Sequence, residues 1–128
     1  MRPNILTVDD SKALRVLVEK ALSGFDCDVQ EAANGFNAFF SIERARPDLI
    51  LLDVSMPVMD GVEMLRRLKI TPELSAIPVL MLTSPADHAV IPKLPALGAS
   101  GSLMKPFDAA ALIEKIRGIL VLKEKKAG

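Results

Sequence analysis

Apolar residues come in two kinds of run along this chain, and the two kinds alternate. Asn4 to Val8 (NILTV) is a short, nearly continuous apolar run that stops at Asp9-Asp10. Leu14, Leu17, Val18, Ala21 and Leu22 then recur at three- and four-residue spacing, the stripe of an amphipathic helix. Ser11 supplies its N-cap and Gly24 its stop. Cys27 and Val29 alternate with Asp28 and Gln30, which predicts a half-exposed strand. Asn34-Gly35 opens a second helix with Phe36, Phe39 and Phe40 on one side, expected to pack in the core.

Leu49 to Leu52 is apolar without alternation, the pattern of a strand covered on both faces. Val62, Leu65 and Leu68 or Lys69 mark a third helix that ends before Pro72. Ile77 to Leu82 (IPVLML) is a second doubly covered strand, and Ser102 to Met104 a shorter one running into Lys105-Pro106. Leu112, Ile113, Ile116, Ile119 and Leu120 form the stripe of the last helix. Strand and helix alternate five times, which predicts an α/β fold: a (βα)5, doubly wound, parallel five-stranded sheet with helices on both faces.

Composition narrows the picture. At 128 residues, half of them hydrophobic, the chain is expected to be one domain over residues 1–128, with a full core. Sixteen basic and sixteen acidic residues cancel, which argues against nucleic acid and membrane surfaces as partners. The KEKK at 123–126 is expected to be a solvated helix end, and residues 123–128 a tail. A single cysteine, Cys27, forms neither an internal disulfide nor a cysteine-based zinc site. With no signal peptide at Arg2-Pro3 and no long apolar run, a cytoplasmic location is expected.

The chemistry sits at the strand ends. In a doubly wound sheet the ligand site lies outside the carboxyl ends of the strands, where the winding reverses. The first strand ends in Asp9-Asp10, the third in Asp53, the fourth in Thr83-Ser84 and the fifth in Lys105-Pro106. Two carboxylates about 4 Å apart repel by roughly 4 kcal/mol at an effective dielectric near 20, so a proton or a cation must join them. An incomplete cage of oxygen ligands suits Mg²⁺, while the Lys105 ammonium calls for an anion in the same space. Together they describe a phosphoryl-acceptor site with Asp53 as nucleophile, Mg²⁺ and Lys105 neutralising phosphoryl oxygens, and Thr83 donating a hydrogen bond.

From "NILTVDDS" through "ILLDVSMPVMDG" and "VLMLTS" to "GASGSLMKPF", the chain resembles the receiver domain of bacterial response regulators, of the CheY type. The resemblance covers essentially the whole chain. It implies the flavodoxin-like strand order 2-1-3-4-5. It implies that Asp53 accepts a phosphoryl group from a sensor histidine kinase or phosphotransfer protein. Asp10 then binds Mg²⁺ directly and Asp9 mainly through water, with the Ser55 backbone carbonyl as a further ligand. Thr83 and Lys105 hold the phosphoryl oxygens, and Lys105-Pro106 is a cis peptide. The output is a switched interaction with a downstream protein, and catalysis is limited to the domain's own phosphorylation and dephosphorylation.

Two positions depart from the family pattern. An aromatic residue usually stands three positions before the lysine, where this chain has Ser102, too small to fill the same space. In "ADHAVIPKLPALGA", Pro92 and Pro95 each remove an amide donor, at about 3 kcal/mol in a helix interior. A short, kinked or partly unwound fourth helix between Val90 and Ala96 is therefore expected, and with it an atypical output face. His88, beside Asp87 with no second histidine nearby, is expected on the surface.

Three other functions fit parts of the pattern. A Mg²⁺-dependent phosphatase with an aspartyl nucleophile needs a second acid two residues on, where Ser55 stands. A flavodoxin-like cofactor carrier needs a Ser/Thr/Gly-rich loop after the first strand in place of "DDSK". A phosphorylation-independent scaffold has no need of the acceptor set.

Overall fold

The apolar runs form one parallel sheet. The computed structural model describes residues 2–126, with strands β1 (Asn4–Val8), β2 (Asp28–Ala32), β3 (Leu49–Asp53), β4 (Val79–Thr83) and β5 (Gly101–Met104). Helices α1 (Lys12–Leu22), α2 (Gly35–Arg44), α3 (Gly61–Ile70) and α4 (Ala109–Arg117) alternate with them. The strand order is β2-β1-β3-β4-β5, all pairs parallel. β1 and β3 are neighbours at the centre of the sheet, and the winding reverses between them.

Strand geometry sends successive side chains to opposite faces, so each apolar run feeds two cores. Ile5, Leu49, Leu51, Leu80 and Leu82 meet Val18 and Leu22 of α1 and Leu112 and Ile116 of α4. Leu6, Val8, Ile50, Leu52, Val79 and Met81 meet Ala38 and Ile42 of α2 and Met64, Leu65 and Leu68 of α3. Every residue of β3 and β4 is buried, as their lack of alternation predicts. Each fully buried aliphatic side chain contributes about 1.5–3 kcal/mol relative to exposure. These two central strands are therefore the rigid platform under whatever their ends carry.

The helices begin where capping chemistry places them. Ser11, Asn34, Asp60 and Asp108 each accept a hydrogen bond from the backbone N–H three residues on, satisfying a donor the helix leaves free. β4 starts at Val79 instead of Ile77. Pro78 has no N–H for the ladder, although its carbonyl still accepts from Ile50.

Three expectations change. Phe36 and Phe40 are largely exposed, and only Phe39 packs partly against the core. The buried stripe of α2 is Gly35, Ala38, Ser41 and Ile42, and Phe36 and Phe40 lie one turn apart on the outer face. The last helix stops at Arg117, so Ile119 and Leu120 lie beyond it. Residues 123–126 are not a helix end: Lys123 O accepts from Asp26 N at 2.7 Å, and Lys125 N donates to Gly24 O at 2.9 Å. Leu122 is buried and the Arg117 guanidinium sits 5.1 Å over the Phe25 ring, which fastens this stretch to the turn between α1 and β2. Residues 127–128 of the expected tail lie outside the described residues.

Between β4 and β5 the chain forms no α-helix. It makes two short 3₁₀ turns, Pro85–Asp87 and Ile91–Lys93. Val90, Lys93 and Leu94 each donate to the carbonyl three residues back. Pro92 and Pro95 cannot donate at all, so the regular four-residue ladder is broken twice within one turn. Leu94, fully buried against the α2–α3 face, anchors the segment, and Gly98 at φ +103° ends it. The unwinding expected between Val90 and Ala96 thus extends over the whole crossover. No helix among the described residues is long and apolar enough to cross a membrane.

Candidate functional site

At the carboxyl edge of the sheet, β1 and β3 deliver three acids to one point. Asp9, Asp10 and Asp53 each present a carboxylate oxygen, and these oxygens all lie within 4.8 Å of one another. Asp9 is fully buried, Asp53 is 5% exposed, and Asp10 faces solvent, so the cluster is open on one side. Asp9 Oδ1 accepts from Ser11 N at 2.8 Å, which ties the cluster to the first turn of α1. The Asp9 carbonyl accepts from the Arg15 guanidinium.

Lys105 reaches in from just past the end of β5, and its peptide bond to Pro106 is cis. Its Nζ donates to Asp9 Oδ2 at 2.8 Å and to Asp53 Oδ1 at 3.1 Å. Its backbone N donates to the Thr83 carbonyl at 2.7 Å, so β4 and the lysine are held together. Burial and the neighbouring Asp9 charge push the Asp53 carboxyl up to about 6, and Lys105 offsets only part of that. Lys105 itself is shifted upward: burial works against its charge, but the hydrogen bonds and charges of Asp9 and Asp53 prevail.

The loop after β3 is shaped by close backbone contact. Gly61 N donates to Val54 O at 2.8 Å, and a Cβ at residue 61 would collide with the Asp53 carbonyl. Within the same loop Val58 sits at φ +71° and is 89% exposed, with Met59 N donating to Pro57 O at 2.9 Å. A β-branched residue in that region is strained. Val58→Gly is expected to raise stability by about 1 kcal/mol, the relieved strain exceeding the added chain entropy. A denaturant midpoint at or below that of the wild type would show that no strain resides there.

The site is thus an oxygen-only donor set, open to solvent on one side, with an ammonium on its rim. Three convergent carboxylates fit a hard divalent cation of the Mg²⁺ kind, which keeps several other oxygen ligands. The family model for the response regulator receiver domain matches residues 5–117. This chain belongs to that family.

The receiver is 35% identical over 123 residues to sporulation initiation phosphotransferase F of Bacillus subtilis, spanning 96% of this chain and 98% of that protein. Chemotaxis protein CheY-3 of Vibrio cholerae is 36% identical over 114 residues, 88% of this chain and 87% of the other. The solved structure of chemotaxis response regulator CheY4 of Vibrio cholerae matches with a TM-score of 0.86 at 33% identity, covering 94% of this chain and 100% of that one. As a receiver the protein works in a two-component phosphorelay, opposite a histidine kinase or phosphotransfer partner. Its catalysis is confined to gaining and losing its own phosphoryl group.

Of the residues singled out from sequence, the receiver brings Asp9, Asp10, Asp53 and Lys105 into one cluster. Thr83 is buried at the end of the adjacent strand β4. Ser55 is exposed, with its hydroxyl turned to a different partner, Asp87. Ser102 is half-buried, paired in register with Met81. His88 is exposed, as expected. Asp87 is the residue that sequence reasoning passed over. It is 7% exposed and joins Ser55 to Ser84. Burial opposes its charge, but hydrogen bonds from Ser84 and Ser55, with the Lys105 charge, hold its carboxyl below the usual range. The signal was present: Ser84 followed three residues later by Asp87 has the spacing of a capping box.

Proposed function

We propose that Asp53 is the phosphoryl acceptor and that Asp9, Asp10, Asp53 and the Ser55 backbone carbonyl hold Mg²⁺. The observation that carries this reading is the position of Asp53. It is a nearly buried carboxylate at the central switch point of the sheet, 3.1 Å from an ammonium and within 4.8 Å of two further acids. When bound, Mg²⁺ supplies charge neutralisation for the phosphoryl oxygens and for the crowded carboxylates.

The remaining steps belong to the chain's own residues. An Asp53 oxygen forms the new O–P bond while the P–N bond to the donor histidine breaks, its electron pair staying on the imidazole, which takes up a proton. Lys105 compensates negative charge at the site and Thr83 donates a hydrogen bond from its hydroxyl to a phosphoryl oxygen. Hydrolysis later forms a water O–P bond and returns the electron pair to the Asp53 carboxylate. The donor is a sensor histidine kinase or phosphotransfer protein, and residues 1–128 act as a single receiver unit. Balanced charge supports a protein target over nucleic acid or a membrane.

Acetyl phosphate with Mg²⁺, followed by intact mass measurement, tests the assignment. Wild type is expected to gain about 80 Da as HPO₃, and Asp53→Asn to gain nothing. No gain on wild type favours a phosphorylation-independent scaffold. Repeated turnover of a simple phosphate ester favours the aspartyl phosphatase.

The output surface is proposed to be atypical, because Ser102 replaces an aromatic residue on β5 and residues 85–98 form no α-helix around Pro92 and Pro95. Beryllofluoride is expected to shift backbone amides around residues 53–61 and 83–87, with little change at Ser102. A large, uniform response across residues 85–104 would contradict this.

A further inference from the structure

Every polar group of Asp9 is bonded. Its N–H donates to Ala32 O of β2 at 3.1 Å, and its carboxylate accepts from Ser11 N and from Lys105 Nζ, each at 2.8 Å. Its carbonyl accepts from Arg15 Nη1 at 2.6 Å. That last donor comes from α1 and is braced from the side, because Arg15 Nε also donates to Glu31 Oε1 on β2 at 3.2 Å. Only 15% of the Arg15 side chain is exposed. A planar guanidinium can hold a carbonyl and a carboxylate at once in a fixed fork.

The carbonyl that Arg15 holds belongs to the peptide joining Asp9 to Asp10, and a peptide unit moves as one plane. Asp10 faces solvent, so no packing sets the course of its side chain. The orientation of that plane does. Charge alone gives Arg15 the opposite effect. A guanidinium close to the acids opposes entry of a dication, and on Coulomb grounds its loss strengthens cation binding.

Resting on the Mg²⁺ assignment above, we propose that Arg15 is a positioning residue for the cation site: braced by Glu31, it fixes the Asp9–Asp10 peptide so that the exposed Asp10 carboxylate stays beside Asp9 and Asp53. Arg15 and Glu31 act through the backbone and are not ligands themselves.

The test is a Mg²⁺ titration of the unphosphorylated protein, followed by backbone amide shifts. Arg15→Met keeps an apolar stem and removes every donor. It is expected to weaken Mg²⁺ binding about tenfold, the scale for losing a group that orients a metal ligand. Unchanged or tighter binding, whatever the variant's stability to urea in EDTA, overturns the proposal. Glu31→Ala and Glu31→Gln lose the same charge, but only glutamine keeps an oxygen that can accept from Arg15. Alanine is expected to weaken binding about threefold more than glutamine, and no more than glutamine when Arg15→Met is also present. Equal affinities of the two Glu31 variants, or the same difference between them without Arg15, overturn it as well. Glu31 lies on the edge strand with a partly exposed side chain, so its variants stay informative even where Arg15→Met folds poorly. Wild-type protein whose amides ignore Mg²⁺ overturns the Mg²⁺ assignment, and this inference with it; wild-type binding that is indifferent to Arg15 overturns the inference alone.

Discussion

Lys105→Met is expected to slow phosphorylation of Asp53 by acetyl phosphate about a hundredfold, the scale on which removing one fixed charge-stabilising donor acts. The ammonium lies 2.8 Å from Asp9 and 3.1 Å from Asp53, which is where the proposed phosphorylation of Asp53 would place new negative charge. Methionine keeps most of the length and the apolar stem of the side chain and removes the charge together with its two hydrogen bonds. Lys105→Arg restores the charge on a broader, planar group, and an intermediate rate is expected from it. Labelling kinetics followed by mass will decide: a rate for Lys105→Met within severalfold of wild type would mean that Lys105 only balances the acids.

Gly61→Ala is expected to cost about 3 kcal/mol, among the larger effects of a single methyl group in this protein. Gly61 opens α3 directly against the backbone of residues 53 and 54, and an alanine Cβ there meets the Asp53 carbonyl. A carbonyl at the end of a fully buried strand cannot rotate aside as a flexible side chain would. Either α3 retreats or the end of β3 moves, and the second displaces the Asp53 carboxylate. Urea unfolding of the variant measures the cost. A midpoint equal to wild type would show that the turn after β3 yields easily.

Much of this was legible in the sequence because the central strands announce themselves. Leu49 to Leu52 and Val79 to Leu82 can be apolar throughout only if both faces are covered, and parallel strands so covered fix the layers. Asp53 at the end of β3 and Asp9-Asp10 after β1 then fall together by topology alone. What was illegible followed from packing. The buried stripe of α2 runs through Gly35, Ala38 and Ser41 beside Ile42, mostly small residues with a weak hydrophobic signature, and so Phe36 and Phe40 drew attention to the wrong face. Ile119, Leu120 and Leu122 continue the apolar character of α4 past its end, because the chain goes on packing after it stops being helical. The Ser55–Asp87 bond joins two loops through tertiary structure, and only its local half, the Ser84 cap, is written in the spacing.

The strained Val58, the tight contact at Gly61 and the bridge to Asp87 all lie around the loop that follows Asp53. Three independent constraints on one short loop are consistent with a group that must be held in place. The irregular crossover at 85–98 begins where that bridge ends, so the loop after Asp53 and the crossover are joined through Asp87.

The most direct measurement is the intact mass of wild-type protein exposed to acetyl phosphate in Mg²⁺ and in excess EDTA. A metal dication shared by Asp9, Asp10 and Asp53 predicts a gain of about 80 Da that requires Mg²⁺ and maps to Asp53. An equal gain at an equal rate in EDTA, or label on any other residue, would contradict it.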